Sequence, residues 1–271
     1  MRSSAKLVTT HRDVPAERRG RASRRTDLLV GGGGDAGPDR ERGSEVVNFT
    51  ADMDATPEQV EAGHAVYTKR FLRGYDLLVL RFLNRVVYRC PLARLVEHYD
   101  AHVSANHLEV AVGTGYLLER CRFPTETPRL GVMDINPNCL EVAQKRLARF
   151  GPEVYQANVL ERIHLDAPRF DSAAMNYLLH CLPGDIRSKA VVVDHVKRLL
   201  NPGGVIFGAT MLSGGIPVGA AARTMMKSLN KKGVMTNTQD DLDGLKSALS
   251  QHLSDVVVDV VGTAALFAGR T

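Results

Sequence analysis

The stretch HLEVAVGTGYLLER, residues 107–120, has the pattern of a buried strand that turns through glycines into a helix. The apolar run LEVAV predicts the strand, and YLLER predicts the start of the helix. Gly113 and Gly115 lie between them, where glycine lets the backbone come close to a ligand beside the helix N-terminus. The stretch therefore predicts a cofactor site at the carboxyl edge of a parallel sheet.

Strand and helix patterns alternate from this point onward. The apolar runs RLGVMD, EVYQAN, FDSAAMN and GVIFGAT recur between amphipathic segments such as NCLEVAQKRLARFG. This alternation predicts an α/β fold with a parallel sheet and helices on both faces. The last two runs, DVVVDVV and AALFAGR, are separated only by Gly262 and Thr263, which is too short for a crossover helix and predicts an antiparallel hairpin.

Three helices are predicted before the first strand. One begins at Thr56 and Pro57 and runs to about Leu72, with a capping pattern at its start. The second, YDLLVLRFLNRVVYRC, offers apolar residues to a core at Leu77, Leu80, Phe82 and Val86 or Val87, and the third carries a stripe at Leu92, Leu95, Val96 and Tyr99. We expect residues 48–104 to form an N-terminal helical cap on a domain spanning 105–271.

Composition and charge narrow the class of protein. The 271 residues are 44% hydrophobic and 24% charged, which suits one main soluble domain. Residues 1–47 hold ten basic and seven acidic residues, a balance of +3 out of the total of +5, so the remainder is nearly neutral. We expect 1–47 to be a disordered basic tail, because it offers little apolar surface to bury.

Targeting and redox features are sparse. No uncharged apolar segment approaches the roughly 20 residues that cross a bilayer, so we expect a cytoplasmic protein without a membrane partner. The four cysteines form no CxxC pair, which favours reduced thiols.

The glycine turn alone leaves two cofactors open, a dinucleotide or S-adenosylmethionine. The dinucleotide fingerprint needs a third glycine three residues after the second, and Leu118 stands there. Glu109 lies six residues before Gly115, and Asp134 ends the second strand in GVMDINP. This arrangement resembles the class I S-adenosylmethionine-dependent methyltransferases over roughly residues 107–271. The resemblance implies a Rossmann-like fold, with a mostly parallel seven-stranded sheet and an antiparallel C-terminal hairpin.

The resemblance also implies roles at the cofactor. Glu109 matches the acid near the methionine amino group, Asp134 the acid that takes both ribose hydroxyls, and Asn158 with Val159 the pair at adenine. Two positions depart from the family: Ala111 replaces the usual first glycine, and Asn158 replaces an acid, although its amide oxygen can still accept a hydrogen bond. The implied cofactor-binding set is Glu109, Gly113, Thr114, Gly115, Asp134, Ile135, Asn158, Val159 and Asn176.

The acceptor side is less specific. NYLLHCLPG and TQDDLDGL look like segments of small-molecule methyltransferases of secondary metabolism. We expect a substrate cover from the N-terminal helices and from an insertion near 212–237, with Tyr67, Tyr75 and Tyr177 in the pocket. Met225 and Met226 fit either the pocket lining or the core. His180 is a candidate general base, and the alternative is a histidine held by neighbouring backbone before Pro183.

Other functions remain as alternatives. Lys69, Arg70 and Arg73 could grip a prenyl diphosphate that is methylated on carbon, and a non-catalytic cofactor-binding module is also open. Base-amino methyltransferases carry two prolines after the Asn or Asp that ends the fourth strand, whereas Asn176 is followed by Tyr177 and Leu178, so we expect no nucleic-acid partner. A homodimer is left open.

A zinc site is the remaining alternative. His98 and His102 have helical zinc spacing and His107 is near, but no clear third ligand accompanies them, so we expect no metal.

Overall fold

The structure is a computed structural model that describes residues 6–7, 68, 72, 74 and 76–271. Several sequence predictions therefore lie outside the described residues: the helix start at Thr56, the pocket residues Tyr67 and Tyr75, and the cations Lys69, Arg70 and Arg73.

The described strands form one mixed sheet. They are β1 Asn106–Val110, β2 Arg129–Asp134, β3 Glu153–Gln156, β4 Phe170–Asn176, β5 Leu200–Met211, β6 Ser254–Val261 and β7 Ala264–Arg270. Their order is β3-β2-β1-β4-β5-β7-β6, and β7 is antiparallel to both of its neighbours. The predicted seven-stranded sheet with its C-terminal hairpin is confirmed.

A two-residue strand, Lys6–Leu7, extends the sheet by pairing parallel with β3. Residues 1–47 were expected to be disordered, and within that segment the structure describes these two residues, which form a strand. A parallel edge strand offers free backbone groups, and the backbone of Lys6 and Leu7 pairs with the β3 residues Tyr155 and Gln156. The rest of 1–47 lies outside the described residues.

Helices flank the sheet. A π-helical segment, Asp76–Leu83, leads into α1 Asn84–Val86 and then α2 Leu92–His102. Next come α3 Tyr116–Arg120, α4 Pro137–Arg146, α5 Ile186–Lys189, α6 Val191–Lys197, α7 Ala220–Lys231 and α8 Leu242–His252. None of the helices in the described part of the chain is both long and apolar enough to span a bilayer.

The core lies on both faces of the sheet. Leu108, Val110 and Met133 pack in the cluster on one face, whereas Leu130 and Val132 pack in the cluster on the other. This alternation follows from the two-residue period of a strand. The central strands are therefore buried on both sides, and they hold the residues that follow them in fixed positions at the carboxyl edge.

One prediction about the core is wrong. Phe82 was expected to face it, but it is 56% exposed; of the alternatives Val86 and Val87, Val86 is 57% exposed, whereas Val87 packs against the core. The segment 76–83 is π-helical and closes its hydrogen bonds five residues apart, so its faces do not follow the 3.6-residue period of the sequence pattern.

Candidate functional site

The turn after β1 has three residues with left-handed backbone. Ala111, Gly113 and Gly115 have φ values of +56°, +54° and +70°. A Cβ built on Gly113 would have no atom within 4 Å, whereas one on Gly115 would lie 3.0 Å from Leu147 Cδ1. Gly113 thus leaves its backbone open to a ligand, while Gly115 lets the turn pack against the end of α4.

Ala111 is the position where the sequence departs from the family's first glycine. Its φ of +56° is the conformation that glycine adopts without strain and that an alanine adopts only at a cost of about 1 to 2 kcal/mol. Ala111 therefore holds a backbone conformation in which glycine would be unstrained.

Asp134 at the end of β2 holds this turn in place. Its Oδ2 accepts from the backbone N–H of Gly113 at 3.1 Å, and its Oδ1 accepts from the backbone N–H of Asn136 at 2.9 Å. Burial raises the pKa of Asp134 to about 6, and these N–H donors act in the opposite direction. The Ile135 N–H and the Cys139 thiol also lower its pKa, so the carboxylate is held by the glycine turn on one side and by the start of α4 on the other.

The side chain of Thr114 is turned to another partner. Its Oγ1 donates to Asp76 Oδ1 at 2.6 Å, and Arg146 pairs with the other oxygen of Asp76 at 2.6 Å. The Thr114 hydroxyl ties the turn to the π-helical segment, and the place of Thr114 in the cofactor-binding set stays a prediction. Sequence reasoning did not find Asp76 or Arg146, because both contacts join residues distant in the chain.

The residues after β2 and β3 gather beside Asp134. The backbone N–H of Ala157 donates to the Asp134 carbonyl at 3.3 Å, and Gln156 Nε2 donates to the Ile135 carbonyl at 3.2 Å. Asn158 Oδ1 accepts from the backbone N–H of Leu160 at 3.1 Å, which occupies one of its two lone pairs. Val159 next to it is buried. The structure thus brings these predicted site residues to the same edge as the glycine turn.

Asn176 ends β4 with a buried amide. Neither its Oδ1 nor its Nδ2 has a hydrogen-bond partner, and both atoms are covered. The amide lies beside the Tyr99 hydroxyl and acts to lower its pKa, without meeting hydrogen-bond geometry. A covered amide without partners is costly unless something else pairs with it, so Asn176 is suited to a polar ligand.

Glu109 is buried in a polar cluster. Tyr99 donates to its Oε1 at 2.6 Å, and His107 Nε2 lies 3.3 Å from its Oε2. Burial raises the pKa of Glu109, and contact with His107 and Tyr99 acts to lower it. The link between His107 and Glu109 was visible in the sequence, since residues two apart on a strand share a face. The contact with Tyr99 was not, because its helical spacing predicts only core packing.

The structure contradicts His180 as a general base. Its Nδ1 accepts from the backbone N–H of Met211 at 3.2 Å, and burial lowers its pKa to about 3. A general base needs a free lone pair that faces the group to be methylated. The lone pair on Nδ1 of His180 is instead used by the backbone N–H of Met211. The alternative was a histidine held by neighbouring backbone before Pro183; His180 is held by backbone, but the partner is Met211 at the end of β5. Tyr177 lies beside it, with ring centroids 5.6 Å apart.

The histidines considered for zinc have other partners. His98 Nε2 lies 3.0 Å from the Phe267 carbonyl, and His102 Nδ1 lies 2.8 Å from the His98 carbonyl. Because a carbonyl only accepts, each of these ring nitrogens is a donor. The His98 bond therefore joins α2 to β7, whereas the His102 bond lies within α2.

Comparisons with known proteins agree with this geometry. A family model described as a methyltransferase domain matches residues 108–206. The chain is 43% identical to the demethylluteothin O-methyltransferase of Streptomyces thioluteus, over 72% of this chain and 85% of that one. It is 34% identical to the physcion biosynthesis cluster O-methyltransferase of Aspergillus chevalieri, over 76% and 94%.

A solved structure supports the fold. The complex of DhpI with SAH aligns with a TM-score of 0.58 at 16% identity, covering 80% of this chain and 98% of that chain. Together, the sheet order, the acid after β2 and these relatives show that the chain belongs to the S-adenosylmethionine-dependent methyltransferases. It is a methyltransferase enzyme, and S-adenosylmethionine is its cofactor.

The site fits this cofactor. The open backbone at Gly113, the carboxylate of Asp134 and the unpartnered amide of Asn176 lie on consecutive neighbouring strands at one edge of the sheet. A nucleoside with hydroxyl and amino groups presents the donors and acceptors that such an edge can bind.

Proposed function

We propose that this enzyme methylates a small apolar molecule of secondary metabolism at an oxygen, nitrogen or carbon atom. Asp134 carries the proposal: it is a buried carboxylate at the end of β2 that holds the open glycine turn, and the family resemblance assigns it to the two ribose hydroxyls. In this assignment, Asn158 and Val159 border adenine, and Glu109 and Asn176 lie toward the methionine end.

The character of the acceptor follows from the region after β5. Tyr177 and Met225 pack against an apolar cluster that includes Met211, Met226 and Met235. Flexible methionines adapt to irregular apolar shapes, which suits an aromatic or polyketide-like acceptor better than a charged one. The two relatives are named as a demethylluteothin O-methyltransferase and an O-methyltransferase of a physcion biosynthesis cluster. These names support a small-molecule acceptor.

The insertion near 212–237 is the proposed substrate cover. It contains α7, which buries Ala222 and Met226, and it is anchored at its end by Asn237. Asn237 Nδ2 donates to the Met211 carbonyl at 3.0 Å, at the end of β5. The cover is thus attached to the same sheet edge as the cofactor site, and changes in α7 would alter which acceptor is bound.

The chain contributes alignment to the reaction. When bound, S-adenosylmethionine supplies an electrophilic methyl group on a sulfonium, so a protein can accelerate transfer by holding the acceptor in line and excluding water. His180 is not available as a base, and a phenol or similar acceptor with an acidic proton can lose it to solvent before transfer. The acceptor is proposed to be a small molecule and not a nucleic acid.

Methyl-labelled cofactor tests this function. The full chain is incubated with labelled S-adenosylmethionine and a set of phenols, enols and amines, and the products are identified by mass spectrometry. We expect label on one class of small molecule, and none with a variant of Asp134 that binds no cofactor. Label only on added nucleic acid or protein, or no transfer to any small molecule, would contradict the proposal.

A further inference from the structure

The face of β1 that packs against α2 carries two polar residues in an apolar layer. His107 and Glu109 lie on this face, among Leu130, Val132 and Phe207 of the surrounding cluster. Their side chains are 0% and 5% exposed. Buried polar groups require partners, so the hydrogen bonds of this pair determine where its protons are.

The hydroxyl of Ser172 decides the proton position on one side of His107. Ser172 Oγ accepts from the backbone N–H of Ser104 at 2.9 Å and donates to Ser104 Oγ at 2.9 Å. Ser104 Oγ in turn donates its own hydrogen to the Asn106 carbonyl at 2.8 Å. A hydroxyl has one hydrogen and two lone pairs, so Ser172 has only a lone pair left for His107.

His107 must therefore carry a hydrogen on Nδ1, which lies 2.8 Å from Ser172 Oγ. Its other nitrogen, Nε2, lies 3.3 Å from Glu109 Oε2. One proton must lie between these two atoms, since otherwise a lone pair of Nε2 would face a lone pair of the carboxylate. The pair is either an imidazolium with a carboxylate or an imidazole with a carboxylic acid. The two arrangements contain the same number of protons and differ only in which side chain carries the shared one.

The other titratable groups around Glu109 do not supply or take up this proton near neutral pH. Tyr99 from α2 donates to Oε1, and burial raises its pKa well above the ordinary range. Cys121, which follows α3, feels the charge of Glu109, and burial raises its pKa to about 12. From β4, Ser172 and the amide of Asn176 face the cluster, and neither titrates.

We propose that His107 and Glu109 share one proton in the ligand-free enzyme at neutral pH and that binding of S-adenosylmethionine releases it. The cofactor brings cationic sulfonium and amino groups to the carboxyl edge of β1, and a nearby positive charge disfavours a proton on the pair. The N–H or O–H bond between the two side chains breaks, the proton passes to buffer, Glu109 keeps the negative charge, and the cations of the cofactor offset the repulsion between that charge and the Nε2 lone pair. His107 is thus a positioning residue that sets the charge of Glu109.

This inference rests on the proposed assignment of Glu109 to the cofactor. Nitrogen-15 NMR of histidine-labelled, ligand-free enzyme tests the shared proton without any cofactor, with His107→Gln used to assign the signals. We expect Nδ1 of His107 to carry a hydrogen and one further proton to be shared between Nε2 and the Glu109 carboxyl. A ring without a hydrogen on Nδ1 would overturn the shared proton.

Calorimetry tests the release. S-adenosylmethionine is titrated between pH 7 and 8 in buffers of different ionisation enthalpy, into wild type, His107→Gln and the exposed control His164→Gln. We expect wild type and the control to release up to about one proton more than His107→Gln, whose amide cannot titrate. The cofactor's own amino group titrates equally in all three and cancels in the comparison.

Equal proton release in wild type and His107→Gln would overturn the coupling. If His107→Gln does not fold, Ser172→Ala serves instead, because it removes the acceptor of the Nδ1 hydrogen and should shift the proton release in the same direction. If wild type binds no S-adenosylmethionine, the cofactor assignment fails and the release with it, while the NMR measurement still decides the shared proton.

Discussion

The carboxylate of Asp134 and the backbone N–H of Gly113 are joined by a hydrogen bond of 3.1 Å, across two neighbouring strands. The bond fixes the glycine turn relative to the end of β2, so the residue assigned to ribose also shapes the loop beneath the cofactor. Variants of Asp134 should therefore affect both binding and stability, and the two effects have to be measured separately.

The protonation of Asp134 predicts a pH dependence with opposite signs for affinity and stability. Burial raises its pKa from 3.8 to about 6, so the folded protein favours the protonated form. The buried, ionised carboxylate lowers the free energy of unfolding. This effect is present in full above the folded-state pKa of about 6 and is lost as the pH falls toward the unfolded-state pKa of 3.8. Cofactor affinity should fall over the same range, because a protonated carboxyl accepts hydroxyl hydrogen bonds less well.

Two titrations check this. Affinity for S-adenosylhomocysteine is measured by calorimetry from pH 5 to 8, and the free energy of unfolding is measured over the same range without ligand. Relative to Asp134→Asn, wild type should lose affinity and gain stability as the pH falls below about 6. Parallel curves for the two proteins would show that Asp134 does not titrate there.

Ala111→Gly is expected to stabilise the protein. The left-handed backbone of Ala111 carries strain of about 1 to 2 kcal/mol. Glycine removes this strain, but it makes the unfolded chain more flexible, which costs roughly 0.5 to 1 kcal/mol of stability. Chemical denaturation should show a net gain of about 0.5 to 1 kcal/mol in the free energy of unfolding, and a loss of stability would mean that the methyl group contributes packing that outweighs the strain.

His180→Ala should affect stability more than turnover. The substitution leaves the buried N–H of Met211 without its acceptor and creates a cavity, which predicts a loss of about 2 to 4 kcal/mol. Once an acceptor is known, turnover of the folded variant should fall less than about tenfold and keep the wild-type pH profile. The exposed His164→Ala is the control. A loss of a hundredfold or more with normal cofactor binding would restore His180 as the base.

The proposed cover should depend on a buried ion pair. Lys189 Nζ donates to Asp240 Oδ2 at 2.6 Å and to the Thr236 carbonyl at 2.9 Å, and both charged side chains are fully buried. Lys189→Met leaves Asp240 uncompensated and should lower the free energy of unfolding by about 3 to 5 kcal/mol. Lys189→Met with Asp240→Leu should recover most of that loss. Wild-type stability for the single variant would show that the pair does not hold the segment.

The features that the sequence predicted are those that depend on local period and spacing. The strand alternation from Leu108 onward, the glycine turn and the acid at the end of β2 are all read within a few residues. The hairpin around Gly262 was also predictable, since two residues leave room for no other connection. These features define the fold and the cofactor edge.

The features that the sequence did not predict are contacts between distant segments. Thr114 pairs with Asp76 and Tyr99 with Glu109, and nothing in the local pattern of these residues indicates the partner. His180 was misread for a related reason: a histidine after a strand of a parallel sheet can face the ligand or the backbone, and only the position of Met211 decides. Phe82 was misplaced because the sequence pattern was interpreted with the 3.6-residue period of an α-helix, whereas its segment is π-helical.

Binding of S-adenosylmethionine to Asp134→Asn tests the central claim most directly. Calorimetry is run at pH 7.5 on wild type, Asp134→Asn and the exposed control Asp166→Asn, with thermal melting to confirm that each is folded. Loss of the charged acceptor should weaken binding by roughly tenfold or more, since each hydrogen bond to a carboxylate is worth about 1.5 to 3 kcal/mol. Asp166→Asn should bind like wild type. Equal affinity for all three proteins would contradict the account, because Asp134 would then lie outside the cofactor site.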